Sequence, residues 1–211
     1  MASGILSLEG RHDVKTALKL GALTLAAALL PTAAFAHTGV ATASGFAHGF
    51  MHPIGGLDHV LAMVAVGAVA ARIGGRALWM VPAAFVAMMA MGGFIGMEGI
   101  QLPFAETGIA ASVIVLGLAV ALRWNLSVAA ASTLAGLFAI FHGHVHGNEM
   151  PVDASGLTYA IGFLLATASL HGVGIGLGYG VARIGARSRF ALQAGGGAMA
   201  LAGVALLSGS L

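Results

Sequence analysis

Apolar and polar positions alternate along this chain in long blocks. From about residue 46 onward, six apolar segments are separated by short polar stretches, near 46–71, 77–97, 107–122, 126–145, 156–182 and 190–209. Each is near the ~20 residues that a helix needs to span a bilayer, the third being the shortest. The pattern predicts an all-α integral membrane protein, a six-helix transmembrane bundle. Ahead of it, Arg11, Lys15 and Lys19 form a basic stretch followed by the apolar run from Leu20 to Leu30. Pro31 and the Ala34-Phe35-Ala36 triplet then complete the layout of a cleavable export signal. Residues 1–36 are expected to be that signal peptide and residues 37–211 the six-span domain, with His37 at the mature N-terminus. The alternative is an uncleaved first transmembrane helix.

Charge turns the bundle into a topology. Arg72 and Arg76 lie between spans 1 and 2, Arg123 between 3 and 4, and Arg183, Arg187 and Arg189 between 5 and 6. Every basic loop therefore falls on one side, which the positive-inside rule makes cytoplasmic. The opposite loops carry Glu98, Glu106, Glu149 and Asp153. The mature ends are then both extracytoplasmic, and the protein is expected in the bacterial inner membrane. Composition agrees: 59% of the 211 residues are hydrophobic and 8% are charged, against roughly 25% charged in a soluble domain. The absence of cysteine excludes disulfides, thiolate ligands and cysteine nucleophiles. The basic residues are accounted for by topology, so they imply no nucleic-acid partner.

Against that apolar background stand two clusters of chemistry. The first is His52-Pro53-Ile54-Gly55-Gly56-Leu57-Asp58-His59, and the second is Phe141-His142-Gly143-His144-Val145-His146-Gly147-Asn148-Glu149. Imidazole and carboxylate are costly in hydrocarbon and usually functional there. The topology brings both clusters, and Glu106 at the start of span 3, to the extracytoplasmic end. At 100° per residue His52 and His59 are about 20° from alignment on one face, with His48 beside them. Asp58 is placed to ligate or to orient a neighbouring imidazole. Pro53 and the Gly55-Gly56 pair are expected to loosen this helix. His142, His146 and Glu149 share a face at i, i+4, i+7, while His144 points away and is expected as a bystander, a solvated loop residue. Gly143 and Gly147 remove bulk beside the imidazoles, leaving room for an ion. His171, deep in span 5, reads either as an ion relay or as a hydrogen-bonded packing residue. The stripe Gly172, Gly176, Gly180 is expected to pack helices.

At these residues the chain resembles the HupE/UreJ family of nickel and cobalt permeases. The family's first signature, His, five residues, Asp-His, is matched by His52, Asp58 and His59. Its second, Phe-His-Gly-x-Ala-His-Gly-x-Glu, is matched by Phe141, His142, Gly143, His146, Gly147 and Glu149, with Val145 in place of Ala. Leu102-Pro103-Phe104-Ala105-Glu106 and the stretch from Ala166-Thr167 to His171 are similar too. The resemblance implies uptake of Ni²⁺, or Co²⁺, for metalloenzymes such as hydrogenase or urease, with the metal as substrate and no resident cofactor. The expected ligands are His37, His48, His52, Asp58, His59, Glu106, His142, His146, Glu149 and His171. Imidazole and carboxylate suit nickel but also zinc and copper. Ligating imidazoles must be neutral, so uptake is expected to fall as pH drops through the ~6.5 of free histidine. No phosphate-binding G-x-x-x-x-G-K-[ST] occurs, and no enzymatic activity is expected. The rival reading is a membrane-embedded hydrolase with His-bound zinc and Glu149 as base. Oligomeric state is open.

Overall fold

The computed structural model describes residues 45–150, 156–183 and 188–211. The expected signal peptide, His37, Asp153 and Arg187 lie outside the described residues. Those described form seven helices and no strands: α1 (Gly45–Gly55), α2 (Leu57–Ile73), α3 (Ala77–Met97), α4 (Ala105–Ala121), α5 (Val128–Asn148), α6 (Gly156–Ala182) and α7 (Ser188–Leu207). Four of them, α3, α5, α6 and α7, are long and apolar enough to cross a membrane, and α1 with α2 makes a fifth if that bent pair is one span. The 17 residues of α4 are shorter but equally apolar. The chain is a multi-pass membrane protein.

The first expected span is therefore not one helix but two, meeting at 81°. Pro53, inside α1, donates no hydrogen bond and crowds the preceding turn. Gly56 then adopts an extended backbone (φ −97°, ψ 120°) and caps α2. A side chain at Gly56 would come within 2.8 Å of both Asp58 Oδ1 and His59 Nδ1. A larger residue at Gly56 would therefore crowd the pair that follows the break.

Helix α2 is the hub, touching every other described helix. Almost all its middle is buried, from Ala62 through Gly67 and on to Val69 and Ala70. Helix α6 runs beside both halves of the broken pair, its first half against α1 and its second half against α2. Gly49 lies on the Tyr159 carbonyl and Gly162 on that of Phe46, while Gly67 meets the His171 carbonyl and Gly174 that of Val64. The most extensive helix contact is α3 with α5. It is a backbone seam in which a Cβ at Gly143 would strike the Met89 carbonyl and one at Gly147 the Gly93 carbonyl. These two glycines serve helix packing, not space for an ion as expected. The opposite correction holds in α6: Gly172, Gly176 and Gly180 have nothing within 4 Å of an added Cβ and lie exposed. The packing stripe is Gly162, Gly174 and Gly178, because those face α1 and α2.

One end of the bundle is tied by arginine. Helix α4 closes in a Schellman turn, Trp124 N–H bonding to the Ala119 carbonyl and Arg123 N–H to that of Val120. Arg123 takes the left-handed position usually given to glycine, with φ 54°. The Arg72 guanidinium, at the end of α2, donates to the carbonyls of Arg123 and Trp124. The α2–α3 and α4–α5 turns are thereby held at the same end, opposite the histidine clusters.

Candidate metal centre

The first histidines arrive by three routes. His52 is one turn from the end of α1, His59 sits in the first turn of α2, and His142, His144 and His146 occupy the last turns of α5. Glu149 caps α5. Because the chain bends between His52 and His59, the shared face expected of a straight helix does not exist. The bend and the packing of α5 bring the rings together instead.

At the surface, ligand atoms of His52, His146 and Glu149 lie within 4.8 Å of one another, a spacing that one ion can bridge. His52 Nε2 is 3.4 Å from Glu149 Oε2. From there the imidazoles form a file. The ring centroids of His52 and His146 are 4.6 Å apart, those of His146 and His59 4.2 Å, and those of His59 and His142 4.8 Å. Exposure falls along it: His52 is open to solvent, whereas His146, His59 and His142 are buried. Tyr159 and Phe163 line the upper part, Phe163 with its ring 4.3 Å from His146. Phe85 closes the lower end, 5.7 Å from His142 and 5.0 Å from His171. Sequence reasoning missed these aromatics, since a Phe or Tyr in an apolar run carries no signal of its own.

Hydrogen bonding differs from ring to ring. His59 Nδ1 is 2.6 Å from Asp58 Oδ1, and the same carboxylate oxygen accepts from the His59 backbone N–H at 2.8 Å. A carboxylate accepts, so Nδ1 carries the proton and Nε2 is left as a lone pair with no partner among the described residues. Asp58 thus stands as the orienting partner rather than a member of the outer group. His142 meets the buried Ser112 hydroxyl, Nε2 to Oγ 2.8 Å, and its Nδ1 has no partner. Neither nitrogen of His146 or His171 has one. A buried polar atom without a partner is rare in folded proteins, and six of the ten such side-chain atoms among the described residues belong to His59, His142, His146 and His171.

The other expected residues separate from this file. His144 is not a solvated loop residue: it is buried in α5, its Nε2 2.7 Å from the Ile100 carbonyl, anchoring the α3–α4 connection. It points away from the file, as the helical period requires. Glu106 is exposed and is not among the bridging ligands; it lines a cavity of about 260 Å³ with Asp58, Ile109 and the end of α7. His48 is exposed one turn before His52 and is not among the bridging ligands. Glu98 is exposed at the end of α3. His171 is fully buried in α6, beyond Phe85. His37 lies outside the described residues.

The sequence has known relatives. The family profile described as HupE / UreJ protein matches residues 25–206. Protein HupE of Rhizobium leguminosarum bv. viciae is 50% identical over 186 residues, which cover 88% of this chain and 96% of that protein. No solved structure matches the chain. The chain belongs to the HupE/UreJ family.

Proposed function

We propose that this HupE/UreJ protein carries a divalent transition-metal cation, nickel or cobalt, inward across the bacterial inner membrane for delivery to metalloenzymes such as hydrogenase or urease. In this reading residues 1–36 are an export signal and the broken α1–α2 pair and α4 each count as a span, giving six, with the mature ends outside. The chain acts as a permease and not as an enzyme. The observation that carries the reading is the file of four imidazoles, running from the exposed His52–Glu149 pair to the buried His142, in which His146, His59 and His142 each keep a buried ring nitrogen with no partner among the described residues. Neutral imidazole with carboxylate is a donor set for divalent first-row metals. A row of overlapping donors lets an ion exchange one ligand at a time without being stripped bare in a low-dielectric interior.

In the proposed sequence of events, Glu149 and His52 capture the hydrated cation, with Glu106 and Asp58 adding negative charge beside the file. His146 takes it from the outer pair and His59 and His142 receive it below. His171 lies beyond Phe85 as a further donor towards the cytoplasm. His48 and His37 are assigned to the approach, outside the file.

The test is radiolabelled Ni²⁺ uptake in nickel-starved cells producing this chain, beside His146→Ala at the same membrane level. The intact chain should raise uptake above cells without it, and His146→Ala should remove at least about nine-tenths of the gain, since loss of even an orienting partner typically costs 10–100-fold. No uptake of Ni²⁺ or Co²⁺ by a correctly inserted intact chain would refute the reading.

A further inference from the structure

Ser112 lies in the middle of α4, in the run Ala110-Ala111-Ser112-Val113, and is fully buried. Its hydroxyl has two close neighbours. Oγ is 2.6 Å from the Ile109 carbonyl oxygen on its own helix and 2.8 Å from His142 Nε2 on α5. A hydroxyl owns one proton, and a carbonyl oxygen owns none. At 2.6 Å the Ser112 proton must lie towards Ile109, because otherwise two bare oxygens would face each other at hydrogen-bond distance. Oγ then meets His142 as an acceptor, so His142 carries its proton on Nε2. Its Nδ1 is left as a buried lone pair with no partner.

The same outcome is reached at His59 by different means. There Asp58 holds the proton on Nδ1 and bares Nε2. The two rings are 4.8 Å apart and nearly perpendicular, at 87°. One is fixed by a charged group and the other by a neutral hydroxyl whose own proton is already committed.

We infer that Ser112 is a positioning residue for His142: it fixes the Nε2–H tautomer and so presents Nδ1 to the transported cation. The inference rests on the permease reading for the identity of that cation and on geometry alone for the tautomer. Removing the hydroxyl frees Nε2 from its acceptor, lets the ring turn or change tautomer, and leaves the Ile109 carbonyl to its helix partner. Such partners of ligating histidines typically matter by about 10–100-fold in affinity or activity.

The experiment uses the full chain in lipid bilayers with ¹⁵N-labelled histidine, without metal. Nitrogen chemical shifts report which ring nitrogen bears the proton, and the His142 signal is the one lost in His142→Gln. The intact chain should show protonated Nε2 and bare Nδ1 at His142. Ser112→Ala should shift that signal towards a mixture or the opposite tautomer, and weaken Ni²⁺ binding about 10–100-fold. Ser112→Thr, which keeps the hydroxyl, should restore both, an outcome that lost packing alone would not produce. A protonated Nδ1 in the intact chain overturns the inference without recourse to any Ser112 variant. An unchanged tautomer in Ser112→Ala, or a changed one with Ni²⁺ binding intact, overturns it as well. Absence of both Ni²⁺ and Co²⁺ binding by the intact chain overturns the permease reading beneath it, and the metal-free spectrum distinguishes that failure from the others.

Discussion

The two halves of the histidine file are built on different principles. In the upper half His52 and Glu149 stand at helix ends, with side chains 37% and 52% exposed, and face each other at 3.4 Å without further support. In the lower half His59 and His142 are buried, and each has one ring nitrogen tied to a dedicated partner. A solvent-exposed contact between groups such as His52 and Glu149 is worth little in water, because solvent competes for both members. That suits a group whose task is to exchange water for ligand quickly. Buried donors have no such freedom, and orienting them after a cation arrives would cost the ordering of each ring. Asp58 and Ser112 set that order during folding. His146 stands between the halves, in contact with both and tied to neither.

Damage to the two halves should therefore look different. The largest effect is expected from Asp58→Asn. The amide can no longer hold the His59 proton by charge, and Ni²⁺ uptake should fall about 10–100-fold at every metal concentration, judged at equal membrane level. A wild-type rate in Asp58→Asn would erase the distinction. A smaller effect, about two- to fivefold, is expected from Glu149→Gln, in keeping with the ≲1 kcal/mol of exposed charge pairs. It should appear as a higher KM with the maximal rate retained, and it should fade as ionic strength rises. The smallest effect on transport belongs to His144→Gln. Loss of its bond to Ile100 should cost about 1 kcal/mol of stability, visible as a lower melting temperature in detergent, with uptake per inserted molecule unchanged.

These contrasts also mark where the sequence could be read. Hydropathy located the apolar helices because a bilayer demands nearly uninterrupted apolar length, and the two His motifs stood out because lipid makes such residues expensive. Pro53 and Gly55-Gly56 announced a weakness in the first span, but not an 81° turn. Propensity fixes where a helix can break, whereas the angle is set by what the two halves pack against, here α6. The helical-period argument failed for His52 and His59 for that reason. It also misread Gly143 and Gly147, since a glycine beside a histidine looks the same whether it makes room for an ion or for a neighbouring backbone. The glycines of α6 failed likewise, Gly174 and Gly178 being chosen over Gly172 and Gly176 by the direction in which α2 lies. Ser112 was legible in principle. With Thr107 it is one of two hydroxyls in α4, and a lone hydroxyl in an apolar span has to bond something. Which ring it bonds depends on the pairing of α4 with α5, a contact that no local pattern encodes.

The seam between α3 and α5 has a mechanical consequence. Where Gly143 rests on Met89 and Gly147 on Gly93, main chain bears on main chain, with no flexible side chains between to act as bearings. Two helices joined in this way move as a single beam, stiff against sliding and against rotation about their own axes. His142 and His146 are mounted on that beam and keep their spacing when the surrounding bilayer thins or flexes. The same kind of joint binds both halves of the broken pair to α6, at Gly49 and Gly162 on one side of the corner and at Gly67 and Gly174 on the other, so the bend at Gly56 is braced from outside.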